Sequence, residues 1–123
     1  MACVAYAAAI FVASSFPAAV AVPQAGGVSD KVVHFVEFAI LAVLVAGAIG
    51  PRDSRGWNRA IFLAFALAAA YGVSDEVHQF FVPSRVADPW DAVADVLGAA
   101  AGAAIVGWAT RRRGTFGHLP RGS

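Results

Sequence analysis

Charge is scarce in this sequence. Of its 123 residues only 14% are Asp, Glu, Lys or Arg, whereas 59% are hydrophobic and the mean hydropathy is +0.68. A soluble domain usually carries about 25% charged residues, and a small soluble domain has too little interior to bury so much apolar side chain. The composition therefore excludes an ordinary water-soluble fold and predicts an integral membrane protein.

Two further features are missing. Cys3 is the only cysteine, which excludes an internal disulfide and says nothing about the redox compartment. The apolar N-terminal segment lacks the positively charged start of a secretory signal, although Ala19-Val20-Ala21 resembles a cleavage site. We therefore interpret this segment as a membrane span rather than as a cleaved signal.

Long apolar runs dominate what is present, and a bilayer-crossing helix needs roughly 20 such residues. Pro17 shortens the first run, and Gly50-Pro51 ends the second. The predicted spans cover residues 2–16, 31–49, 59–81 and 90–110. Their short connections favour an all-α, antiparallel up-down bundle of four transmembrane helices. We expect one domain at 1–110 and a basic tail at 111–123, whose last five residues resemble a protease-site scar.

The charges that do occur are distributed unevenly. Arginines fall in the link between spans two and three and in the tail, at Arg52, Arg55, Arg59, Arg111, Arg112, Arg113 and Arg121. The positive-inside rule places both segments, and hence both termini, in the cytoplasm. The opposite end then holds seven of the eight acidic residues, together with the cations Lys31 and Arg85.

Polar residues at this acidic end recur three and four positions apart, so that they share helix faces. The shared faces are Asp30, His34 and Glu37 on span two; Tyr71, Asp75 and His78 on span three; and Asp91, Asp95, Gly98 and Gly102 on span four. Ionisable residues inside a membrane are costly and usually functional. Gly98 and Gly102 also form a small-xxx-small pattern that favours close approach of another helix, although an alanine-rich chain produces this pattern by chance as well.

The link after span three contains the only arginine at the acidic end. We weigh two interpretations of Arg85: a structural clamp to a neighbouring Asp, or a fork that grips a ligand phosphate or carboxylate. His118 in the tail is interpreted as a solvated residue.

Two motifs resemble the VanZ-like family. The first motif is Asp30-Lys31-x-x-His34-Phe35-x-x-Phe38, and Ser14-Ser15-x-Pro17 is similar to the family's end of span one. The second is Tyr71-Gly72-x-x-Asp75-Glu76-x-His78-Gln79-x-Phe81-Val82-Pro83-x-Arg85-x-x-Asp88-x-x-Asp91-x-x-Ala94-Asp95-x-x-Gly98. The resemblance implies a bacterial cytoplasmic membrane protein, an association with low-level teicoplanin resistance, and no settled biochemical activity. Relatives often carry Asn at position 95, so the resemblance does not require a charge there.

Three hypotheses for function follow. The first is a protein whose outer polar pocket engages a lipid headgroup, a lipid-linked precursor or a glycopeptide. The expected ligand-binding residues are Asp30, Lys31, His34, Glu37, Tyr71, Asp75, Glu76, His78, Gln79, Arg85, Asp88, Asp91 and Asp95. Another hypothesis, the third, is a structural protein whose polar residues join helices. The second hypothesis, a metal-dependent enzyme, is described in the next paragraph.

The second hypothesis is a metal-dependent membrane hydrolase. Oxygen and imidazole donors suit a divalent ion such as zinc, manganese or magnesium, and His34, Asp75, His78 and Asp91 are the candidate ligands. The catalytic candidates are His34, Glu37, Asp75, Glu76 and His78. No established signature such as His-Glu-x-x-His is present, so the sequence leaves open whether the protein is an enzyme.

Overall fold

A computed structural model describes residues 1–16, 28–52 and 55–116, and all its regular structure is helical. The four helices are α1 (Ala2–Ser15), α2 (Val28–Ile49), α3 (Trp57–Phe80) and α4 (Pro89–Phe116). The predicted all-α bundle of four helices is confirmed. The remarks on Pro17, Ala19-Val20-Ala21, His118, Arg121 and the last five residues concern positions outside the described ranges.

Three of the helices, α2, α3 and α4, are long and apolar enough to cross a membrane. The first helix is shorter: its 14 residues extend about 21 Å, against a hydrocarbon core of about 30 Å. The helix ends at Ser15, close to the predicted end at residue 16. Phe16 has extended backbone (φ −82°, ψ 138°), as the residue before a proline usually does.

The fourth helix is longer than predicted. It continues past residue 110 to Phe116, so that Arg111, Arg112 and Arg113 belong to its last turns rather than to a loop. No proline interrupts this stretch, arginine is a good helix former, and positive charge near a helix C-terminus is favoured by the helix dipole. The predicted tail is therefore helical over its first residues.

The helices alternate in direction. The start of α2 and the start of α4 lie together, because Lys31 contacts Asp91. The ends of α1 and α3 join them there, because Ser14 contacts Asp75. We name this end the acidic end, and the opposite end, which carries Arg111 to Arg113, the basic end. The connectivity is that of an up-down bundle.

Small residues let the helices approach closely. The most extensive contacts join α2 to α4 and α3 to α4, whereas α1 packs more lightly on α2 and α3. Phe38 is fully buried in the core, and alanines such as Ala42, Ala68 and Ala99 surround it. Only about a third of each long span is buried within the protein. The outward apolar side chains therefore need a lipid environment.

Two glycines set the distance between α2 and α4. A Cβ atom at Gly98 would collide with the backbone carbonyl of Phe35, and one at Gly102 would collide with that of Ala39. Gly98 and Gly102 are four positions apart on α4, and Phe35 and Ala39 are four positions apart on α2. The two glycines therefore share one face of α4, which lies along one face of α2. The backbones can pack at this distance only because both side chains are hydrogen atoms.

Candidate functional site

A deeply buried polar contact at the acidic end joins α2 to α4. Nδ1 of His34 lies 2.9 Å from Oδ1 of Asp95, and the two side chains are 8% and 0% exposed. Gly72 of α3 makes room for this pair, because a Cβ there would lie 2.5 Å from the Cβ of Asp95. Asp95 is thus enclosed between three helices.

A second buried carboxylate joins α1 to α3. The Ser14 hydroxyl donates to Oδ2 of Asp75 over 2.9 Å, and the Gln79 amide, one turn further along α3, donates to the same oxygen over 2.8 Å. Oδ1 of Asp75 is buried and has no hydrogen-bond partner. One oxygen of this carboxylate therefore accepts two hydrogen bonds, and the other accepts none.

Glu76 repeats this arrangement. The backbone N–H of Asp88 donates to its Oε1 over 2.5 Å, whereas its Oε2 is buried without a partner, as is Oδ2 of Asp95. Buried polar atoms are hydrogen-bonded in the great majority of proteins, and an unpaired one costs about 1–3 kcal/mol. Three such acceptors, on Asp75, Glu76 and Asp95, therefore lie in the described part of this small bundle, all of them at its acidic end.

Lys31 neutralises part of this charge. Its ammonium group lies 2.7 Å from Asp88 and 2.9 Å from Asp91. Asp88 also accepts a hydrogen bond from the N–H of Trp90 over 2.9 Å, and so caps the start of α4. The ion pair with Lys31, and secondarily this cap, lower the pKa of the Asp88 carboxyl below its ordinary value.

This ion pair predicts a pH dependence. Because the pKa of Asp88 is lower in the folded protein than in the unfolded chain, the stability it contributes is present above its ordinary pKa and is lost as the pH falls through the folded value. Replacing Lys31 by methionine should raise the pKa of Asp88 back towards that of a free aspartate. Carboxyl ¹³C NMR of aspartate-labelled protein measures this shift, and an unchanged Asp88 titration in the variant would contradict the pairing.

One group of side chains has the spacing of a metal site. Asp30, His34 and Asp91 each offer a ligand atom, and these atoms lie within 4.8 Å of one another. Since Nδ1 of His34 faces Asp95, the nitrogen left for a ligand is Nε2, and a carboxylate behind a ligating histidine is typical of metal centres. Carboxylate and imidazole donors fit a divalent ion.

Two of the four metal ligands expected from the sequence lie elsewhere. Asp75 bonds Ser14 and Gln79 as described, and Nε2 of His78 lies 3.1 Å from the Ser15 hydroxyl. The ring of His78 also packs on Phe11, with 4.7 Å between ring centroids. The structure therefore groups His34 and Asp91 with Asp30, while Asp75 and His78 line the contact between α3 and α1.

Arg85 holds the end of α1. Its Nε donates to the carbonyl of Phe16 over 3.2 Å, and its Nη2 donates to that of Ala13 over 3.1 Å. Ser84, in the left-handed region with φ 68°, turns the chain just before it. Carbonyls at a helix C-terminus lack partners within the helix and attract positive charge. Arg85 is thus a clamp, as one interpretation of the sequence has it, but it bonds backbone carbonyls of α1 rather than a neighbouring Asp. The other interpretation, a fork for a ligand phosphate or carboxylate, stays a prediction.

The remaining expected residues also lie at this end. Glu37 is half-buried on α2, and the Tyr71 hydroxyl donates to the carbonyl of Ala7 over 2.7 Å. Sequence reasoning missed the roles of Ser14, Ser15 and Gly72. Paired hydroxyls at the end of an otherwise apolar helix are the signal that would have found the two serines, whereas nothing in the sequence links Gly72 to Asp95 on another helix.

This arrangement defines a class: a helical integral membrane protein in which buried carboxylates and one histidine gather at one end of the bundle. A family model described as VanZ/LLP1 matches residues 3–110. The chain therefore belongs to the VanZ/LLP1 family, in agreement with the resemblance of its motifs. Neither a curated protein nor a solved structure matches it significantly.

Proposed function

We propose that the chain binds a component of the bacterial cell envelope through the carboxylates at its acidic end. One observation carries the proposal: three buried carboxylate oxygens, on Asp75, Glu76 and Asp95, have no hydrogen-bond partner. In the orientation favoured by the positive-inside rule, both termini are cytoplasmic and the acidic end faces outwards. The cluster then lies at the outer surface of the cytoplasmic membrane, where envelope precursors and glycopeptides are met.

The free acceptors narrow the chemistry of the ligand. Ionised carboxylates accept hydrogen bonds and attract cations, so a ligand that offers amine or sugar hydroxyl donors complements them. A bare phosphate or carboxylate is repelled by the same groups. Among the candidates of the sequence analysis, we therefore favour the sugar or amine portion of a glycopeptide or lipid-linked precursor over a phosphate headgroup.

A purely structural role accounts for part of the site. The bonds of His34 to Asp95, of Ser14 to Asp75 and of Tyr71 to Ala7 join different helices, as interhelical polar contacts do. Such contacts need only one oxygen of each carboxylate. Three further oxygens without a partner weaken the bundle, and we take them as support for a ligand.

The test combines isosteric variants with a susceptibility assay. Asp75→Asn and Glu76→Gln keep the size of each side chain and its existing hydrogen-bond acceptor but remove the charge. Produced in a teicoplanin-sensitive bacterium, the parent chain should raise the inhibitory concentration of teicoplanin, and both variants should lose most of this effect at equal protein level. Ser74→Ala is the matched control, because Ser74 is exposed and bonds only its own helix. Full protection by both variants would contradict a role for the free oxygens.

A divalent metal is the second candidate, favoured by the spacing of Asp30, His34 and Asp91. We expect purified protein equilibrated with zinc or manganese to retain near-stoichiometric metal by elemental analysis. Asp30→Asn should release it without disturbing the bond between His34 and Asp95. His78→Ala, which alters a histidine outside the group, should retain it. Equal metal content in both variants would exclude this centre and leave the carboxylates as a hydrogen-bonding site.

A further inference from the structure

A groove at the basic end lies far from the acidic cluster. It has a volume of about 720 Å³ and is formed between α3 and α4, in the range of ligand-binding cavities. Large side chains of α3, including Ile61 and Phe65, form one wall. Small residues of α4, including Ala104 and Gly107, form the other. The groove exists because the α4 wall has little side chain to fill it.

The mouth of the groove is polar and positively charged. Asn58, Arg111 and Arg112 belong to its lining, and none of the described residues that line it is acidic. The guanidinium of Arg112 lies over the ring of Trp108, 4.2 Å from its centroid, and such stacking fixes the position of the charge. Trp108 is 58% exposed, at the level where indole rings meet lipid headgroups. An apolar slot that ends in fixed positive charge complements an amphiphile with an anionic head.

The length of the groove favours a lipid over a transmembrane helix of a partner protein as its occupant. From Ala100 to Arg112 the α4 wall extends about 18 Å. This is a little more than half of the roughly 30 Å hydrocarbon core, which is the depth of one leaflet. A transmembrane helix from a partner would need a surface through both leaflets, whereas a phospholipid occupies one.

We propose that this groove binds an anionic phospholipid, with an acyl chain along Phe65 and Ala104 and the headgroup phosphate at Arg111 and Arg112. Basic pockets between membrane helices bind anionic headgroups in this way, and arginine matches phosphate geometry. The proposal does not depend on the function of the acidic end. Zwitterionic phosphatidylcholine carries the same chains without net negative charge, and is therefore the comparison lipid.

Fluorescence of Trp108 tests the proposal directly. In a chain carrying Trp57→Phe and Trp90→Phe, Trp108 is the only tryptophan, and brominated acyl chains quench it when they lie in the groove. In vesicles, brominated phosphatidylglycerol should compete for Trp108 about thirtyfold more effectively than brominated phosphatidylcholine, since two arginines at about 1 kcal/mol each give about 2 kcal/mol, and about 1.4 kcal/mol is a factor of ten. Equal quenching by the two lipids would overturn the proposal.

Variants separate the headgroup site from the groove. Arg111→Gln with Arg112→Gln should abolish the preference for phosphatidylglycerol while total quenching persists. Ala104→Phe should fill the groove and reduce quenching by both lipids. Ile105→Phe is the matched control, because Ile105 is exposed on α4 but does not line the groove, and it should behave like the parent. A preference that survives loss of both arginines, or equal effects of Ala104→Phe and Ile105→Phe, would contradict the assignment.

Discussion

Replacing Gly98 by alanine is expected to lower the free energy of unfolding by about 2 kcal/mol or more, because overpacking a tight interface costs roughly 1–3 kcal/mol. The added methyl group meets the carbonyl of Phe35, with the Phe35 carbonyl carbon only 2.9 Å away. A backbone group cannot rotate aside as a side chain does, so α4 must move away from α2. The same movement would separate His34 from Asp95, because His34 directly precedes Phe35 and Asp95 lies about one turn before Gly98. Gly102→Ala should act similarly through Ala39.

Gly47 provides the matched control for this experiment. It lies in α2, and a Cβ there would meet nothing within 4 Å, so Gly47→Ala should be neutral or slightly stabilising through its better helix propensity. Titration of purified protein with SDS, followed by circular dichroism, measures all three variants. If Gly98→Ala were as stable as Gly47→Ala, the close approach of α2 and α4 would be wrong.

Replacing His34 by leucine is expected to cost about 3 kcal/mol, the size of effect seen when one partner of a buried charged pair is removed. Asp95 is fully buried, and its Oδ2 already lacks a partner. Without His34 its second oxygen also loses its bond, so that a fully buried carboxylate is left with neither oxygen paired.

The double variant His34→Leu, Asp95→Leu should recover much of this loss, because replacing both partners by apolar groups of similar size is often nearly neutral. His78→Leu is the control, since His78 is only partly buried and its loss should change stability little. Asp95→Asn should also be mild, because an amide oxygen still accepts from Nδ1 of His34. A single His34→Leu variant as stable as His78→Leu would show that Asp95 is not an isolated buried carboxylate.

The helices were predictable because their signals are local. Apolar runs, the proline after Phe16 and the prolines near Gly50 and residue 89 locate the helix ends to within a few residues. The end of α4 is the exception: the arginines from Arg111 onwards indicate departure from the membrane, but leaving the bilayer does not require leaving the helix. Hydropathy therefore locates the end of the membrane span, but it does not locate the end of the helix.

The acidic cluster was predictable as a set but not in its pairings. Helical periodicity places His34, Asp75 and Asp95 at one end of the bundle, yet the rotation of each helix about its axis decides which of them meet. That rotation depends on where glycines allow two helices to approach closely, as at Gly72 and Gly98. It depends also on how α1 packs against α2 and α3. The partners of Arg85 were missed for the same reason, since backbone carbonyls leave no mark in a sequence.

The attachment of α1 has a consequence for the order in which the bundle assembles. The three longer helices share the extensive interfaces. The first helix packs more lightly: Ile10 joins the core, and polar bonds run from Ser14 to Asp75, from Tyr71 to Ala7, and from Arg85 to the last carbonyls of α1. Helices inserted separately in a bilayer associate afterwards, and here α1 gains most by docking on a preformed trio. Until it docks, Asp75 lacks the Ser14 hydroxyl. Hydration of this carboxylate thus reports whether the first helix has joined the other three.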